Sequence, residues 1–246
     1  MLKIDDSVSR RHIPNHITSQ LSPVHVTEVK TWIYIFTFLM IDGLCIVPVI
    51  SDRFALGYFL AVIIPTVLLT IWGITLLCRN FYSTQVETLY FIAANGIIGA
   101  FCYFIVSQKL VYVDFQAESK AYFIISCLFY LGWIAYFTQY IFKKYANFKW
   151  RHGLKNYPLE FLRILLFLLP SNGYNFYHFY VKNNPFEEFI MSVIYLSLGT
   201  LFLYIGVLYV HRILFIYTNP THFRLYEPSR KEIKQAEAKG RKNKVG

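Results

Sequence analysis

Six long apolar runs, separated by short polar stretches, divide this chain of 246 residues: Trp32–Ile50, Phe54–Cys78, Thr88–Ser107, Ala121–Phe142, Leu159–Val181 and Phe189–Val210. A hydrocarbon core about 30 Å thick needs roughly 20 apolar residues per helix, and each run approaches that length. None alternates apolar with polar positions, as strands of a membrane barrel do. Backbone polar groups find no water in lipid, so runs of this kind are expected to be helices. The pattern predicts an all-α integral membrane protein with a six-helix transmembrane bundle over residues 32–217. A basic segment at 1–31 precedes the bundle, and a basic, partly helical tail at 218–246 follows it. The first run is expected to be retained rather than cleaved as a signal peptide. A long polar segment precedes it, and Ser51-Asp52-Arg53 leads straight into the next run with no small-x-small site.

Charge gives the bundle a direction. The N-terminal segment carries Lys3, Arg10, Arg11 and Lys30, and the loop after the fourth run carries Lys143, Lys144, Lys149, Arg151 and Lys155. The tail adds eight basic residues from Arg224 to Lys244, whereas the first, third and fifth loops hold only Arg53, Lys109, Lys120 and Lys182. Counting Arg79 with the basic side, alternate segments carry 18 and 4 Lys/Arg residues. Positive segments stay in the cytoplasm, so both termini are predicted to be cytoplasmic. The fifth run, the weakest, must then cross; otherwise the eight tail charges would lie outside.

Composition agrees: 56% of residues are hydrophobic and 15% charged, against about a quarter charged in soluble domains. The tail from Thr221 is net +5, half the formal +10 of the chain. Pro228 and Gly240 suit the start and end of a helix there. No aromatic or motif context for nucleic acid accompanies it, so its expected partner is anionic lipid, or else a cytoplasmic protein. Cys45, Cys78, Cys102 and Cys127 fall in or at the end of separate runs. No short spacing joins them, which argues against a disulfide framework or zinc site and for small packing residues.

Polar residues inside the runs are the candidate chemistry. Asp42 lies about two-thirds along the first run with no Lys or Arg at its depth, and an ionisable residue there is by default a functional expectation. It is read as a proton or cation site. The alternatives are a local break at Asp42-Gly43 beside a wet cavity, or a carboxyl hydrogen-bonded to a hydroxyl or amide. In the third run Gly96 and Ala100 form a small-xxx-small pair flanked by Gly99, which permits close helix packing, and Asn95 is placed for an interhelical hydrogen bond. The fifth run is apolar only over Leu159–Leu169 and then reads Pro170-Ser171-Asn172-Gly173, which predicts a helix kinked or broken at Pro170. Asn172, Asn175 and His178 in its outer half join Asp42 and Asn95 as the candidate intramembrane polar site. The plainer reading of that half is an interfacial aromatic belt. Pro65 and Pro170 fall at matching positions of the second and fifth runs, the mark of an inverted repeat in some transporters, although the two halves share no other similarity.

Enzyme signatures are missing. The chain has no GxSxG, HExxH or Walker loop, and no HxxxH or HxxxD pair within one run, so no catalytic residue, metal or cofactor is expected. Glu187-Glu188 is similar to the paired glutamates of intramembrane CAAX-type proteases. That family's arginine four residues after the second glutamate is replaced here by Ser192, and its later histidine motifs are lacking. In length, number of runs, Ile/Phe/Tyr/Lys-rich composition and the basic tail Arg230–Lys244, the chain resembles small polytopic membrane proteins of low-GC Gram-positive bacteria. Some of those are encoded beside type VII secretion and toxin–immunity loci. The resemblance implies a non-enzymatic, multi-pass protein of the bacterial plasma membrane that binds another membrane or secreted protein as an accessory or immunity protein. The rival expectation is a small transporter or channel subunit using Asp42 and the 170–180 segment.

Overall fold

The computed structural model describes residues 3–8, 12–51, 53–146, 186–223 and 225. Among these residues all regular structure is helical. Five helices are long and apolar enough to cross a membrane: α1 (Glu28–Ile50), α2 (Leu56–Cys78), α3 (Gln85–Asp114), α4 (Ala121–Tyr145) and α5 (Glu187–Thr218). They coincide with the first four apolar runs and the sixth. Most continue past the apolar window because polar end residues still satisfy helical backbone bonds. The fifth run, its break at Pro170, and Asn172, Asn175 and His178 lie outside the described residues, as does nearly all of the basic tail.

Local sequence explains several boundaries. Asn80 caps the one-turn helix Phe81–Ser83 by accepting from Tyr82 N–H, which reverses the chain between α2 and α3. Glu87 sits in the first turn of α3, and Glu187 and Glu188 in the first turn of α5, where the positive end of the helix dipole favours carboxylates. Helix α2 runs unbroken through Pro65. Helix α1 is composite. It is α-helical over Val26–Thr31, winds as a π-helix through Trp32–Gly43, and returns to α over Leu44–Ile50.

Side-chain contacts fix the directions. In α3 and α5, Gly96 meets Gly206, Tyr103 packs on Phe202 and Tyr195, and Ser107 bonds Ser192. One number rises as the other falls, so these helices are antiparallel. A Cβ at Gly96 would lie 2.6 Å from Gly206 Cα, so the two backbones touch. In α4 and α5 the numbers rise together: Tyr122 with Ser192, Phe137 with Tyr204, Phe142 with His211. Helices α4 and α5 are therefore parallel, and the chain leaves α4 at one end of the bundle and re-enters α5 at the other.

Helix α3 is the centre. It packs on α1, α2 and α5, and Phe91, Ile92, Cys102, Tyr103 and Val106 are fully buried on it. Helix α4 is the opposite case: only Ser126, Ile141 and Tyr145 are buried along its length. A second small core lies where the N-terminal segment folds back. Ile4, Ile13, Ile17 and Leu21 pack on Phe215 near the end of α5. We call this end basal and the other distal. Arg212 donates to the carbonyls of Ser19 and Ser22, Gln20 Nε2 donates to Tyr145 Oη at 2.8 Å, and Ile4 N–H donates to Asn219 Oδ1 at 2.7 Å.

One reading of the charged loops needs correction. Residues 108–114 are not loop. A π-turn over Leu110–Asp114 carries α3 onward, and the Lys109 side chain just before it is 0% exposed.

Candidate functional site

Polar side chains in the middle of the bundle gather in one seam between α1, α2 and α3. Asn95 of α3 donates from Nδ2 to Thr37 Oγ1 of α1. Thr70 Oγ1 of α2 donates to Asp42 Oδ2 of α1 at 2.8 Å. Thr66, one turn from Thr70 on the same face of α2, lies 3.6 Å from Cys102 Sγ of α3. Tyr103 Oη donates to the Met40 carbonyl at 2.7 Å. Thr70 and Cys102 each fall in the middle third of their helices, so Asp42 is far from either end.

The π-winding of α1 makes this seam. In an α-helix, residues five apart are about 140° apart around the axis. Winding with i→i+5 bonds brings Thr37 and Asp42 much nearer one face. Both then meet hydroxyl or amide partners on neighbouring helices. The winding ends at Gly43, whose added Cβ would have only the Phe38 carbonyl within 4 Å.

Two oxygens in the seam have no donor. Asn95 is 0% exposed, and its Oδ1 is buried without a hydrogen-bond partner. Asp42 is half-buried, and its Oδ1 is likewise unpartnered. A buried acceptor without a donor costs about 1–3 kcal/mol, more when charged. Such groups call for a proton, a water or a cation. No nucleophile and base share a hydrogen bond here, and among the described residues no group of His, Cys, Asp and Glu is arranged to hold a metal ion.

Gly96, Gly99 and Ala100 sit on α3 at its contact with α5. Gly99 faces the Phe202 ring, and Ala100 offers its carbonyl to Tyr130 Oη of α4 at 3.3 Å. The structure thus brings Asp42 and Asn95 into one seam and puts the small residues on a different face. Asn172, Asn175 and His178 lie outside the described residues.

A second polar cluster, at the distal end, escaped sequence reasoning. Lys109 Nζ donates to Asp114 Oδ2 at 2.8 Å and to the Ser51 carbonyl at 3.0 Å. Both side chains of this ion pair are buried, at 0% and 5% exposure. Ser107, Tyr122 and Ser192 join α3, α4 and α5 through a hydroxyl triad. Gln108 beside them is buried, with neither side-chain polar atom bonded. The Lys-x₄-Asp spacing was the available signal, but it places the pair on one face only in a π-turn.

No protein-family model matches this chain, and no curated protein or solved structure shows significant similarity to it.

Proposed function

We propose that this chain is a multi-pass protein of the bacterial plasma membrane that acts by contact with another membrane or secreted protein, as an accessory or immunity protein, and not as an enzyme. Both termini lie in the cytoplasm, and residues 159–181 make the fifth of six crossings. Charge asymmetry supports that topology. So does the parallel arrangement of α4 and α5, because the chain between two parallel helices must return across the bundle. The basic tail lies against anionic lipid.

The observation that carries the contact reading is α4. Ile125, Leu128, Gly132, Ala135 and Gln139 recur at alternate spacings of three and four, and all are exposed. Helix pairing in lipid relies on small residues and on interhelical hydrogen bonds. This face offers two small residues and one amide in a stripe suited to a partner helix.

Site-specific photocrosslinking tests it. A benzoylphenylalanine at 125, 128 or 135 is expected to give a discrete adduct with one other protein in the native host's membranes. The same probe at Leu68, exposed on α2, gives none. Adducts with lipid alone at all α4 positions would end the contact reading.

The transporter reading retains one supporting observation, the unpartnered Asp42 oxygen in the middle of the bundle. It predicts solute movement in proteoliposomes that Asp42→Asn abolishes.

A further inference from the structure

The two orphan acceptors of the central seam differ in kind. Asn95 Oδ1 is a neutral carbonyl, and a single buried water can satisfy it. Asp42 Oδ1 belongs to an ionisable group. We propose that Asp42 is a proton-binding site, in which Oδ1 carries a solvent-exchangeable proton while Oδ2 accepts from Thr70 Oγ1.

Three observations support the assignment. First, the carboxyl's environment has one donor, and that donor is on the other oxygen. A proton neutralises the carboxyl through a single O–H bond on Oδ1. A hard metal cation gathers six or more oxygens, and no group of three or more His, Cys, Asp and Glu side chains stands here among the described residues. Second, no described residue supplies the seam with a countercharge. The ion pairs among the described residues, Arg79–Glu87 and Lys109–Asp114, lie near opposite ends of the bundle. The titratable groups facing Asp42 are the thiols of Cys45 on α1 and Cys102 on α3, while α2 contributes only the Thr70 hydroxyl. An ionised carboxylate would find no compensating cation among the described residues, and a protonated one is neutral. Third, Asp42 as a residue is half-buried while Oδ1 itself is enclosed, so exchange of its proton with solvent requires the carboxyl to turn or the seam to open. Binding takes one proton from solvent, forms one O–H bond, and moves no electron.

This inference does not rest on the contact reading, and its test involves no partner. The full-length protein in lipid nanodiscs is examined by pH-difference infrared spectroscopy. The expected result is a carbonyl-stretch band of a protonated carboxyl that Asp42→Asn removes. Thr70→Val, which deletes the donor to the carbonyl oxygen, moves that band to higher frequency. The band is unchanged when sodium replaces choline at constant pH. Identical spectra for wild type and Asp42→Asn overturn the proposal. Loss of the band on adding sodium overturns it in favour of an alkali-cation site. Should Asp42→Asn not fold, Thr70→Val decides alone: an unshifted band overturns the assignment.

Discussion

Lys109 and Asp114 are buried together at the distal end of α3, and the Ser51 carbonyl takes a second hydrogen bond from the ammonium. Removing one member of such a pair strands the other charge, at a cost of about 3–5 kcal/mol, whereas replacing both with apolar residues is often neutral. Lys109→Met is therefore expected to lower stability by that order in detergent unfolding. The double variant Lys109→Met with Asp114→Leu is expected to recover most of it. A single variant no less stable than wild type would mean that Asp114 finds water or another donor. Asp5 shows a milder effect at the surface. Its carboxyl accepts from the N–H and hydroxyl of Ser7, which holds its pKa below the ordinary value. A carboxylate depressed in the folded state stabilises above its unfolded pKa and loses that contribution as pH falls through the folded one. Ser7→Ala should return the Asp5 titration, followed by NMR, towards the ordinary carboxylate range.

Among the elements, α3 and α5 are held by the absence of side chains. Gly96 and Gly206 let backbones touch, and Gly99 receives the Phe202 ring. Gly96→Leu must force the helices apart, with an expected loss of about 3 kcal/mol or more. Gly132 on α4 is the control, since a Cβ there meets nothing within 4 Å. Gly132→Ala should leave stability unchanged or raise it by up to about 1 kcal/mol through helix propensity. Thermal unfolding of the two variants in one detergent separates a packing glycine from a free one. The N-terminal segment is a further element, tied to α5 through Arg212. Arg212→Ala is expected to speed proteolysis of residues 3–25 while the helical circular dichroism of the bundle stays the same. Equal cleavage rates would show that the apolar cluster of Ile4, Ile13, Ile17 and Leu21 with Phe215 suffices to hold it.

At the scale of the whole molecule, direction matters most. Parallel α4 and α5 put the end of one helix and the start of the next at opposite ends of the bundle, which fits the proposed topology, as does the charge asymmetry. Reporters fused after residues 115 and 246 are expected to read external and cytoplasmic, respectively. A cytoplasmic signal at 115 would invert the topology. Two external signals would mean that the chain after α5 crosses once more.

Helix existence was legible because apolar runs of this length have few other structures. Four of the five described long helices begin within three residues of the expected position, while the helical turn leading into α1 begins at Val26, six residues before it. The candidate site was only partly legible. Asp42 and Asn95 stand out as polar residues in apolar runs, a property of composition along the chain. Their partners, Thr70 and Thr37, are ordinary threonines until helices bring them close. Lys109 read as a loop charge because linear spacing says nothing of π-winding. By itself, the sequence determined the number and span of the described helices and the charge asymmetry that sets their expected direction, because hydropathy and charge act residue by residue. Only the tertiary structure decided which helix is central, which glycines touch a neighbour, and that Asp42 has one donor and no cation among the described residues. Those depend on the rotation of each helix about its axis, and a change of winding in α1 is enough to alter it.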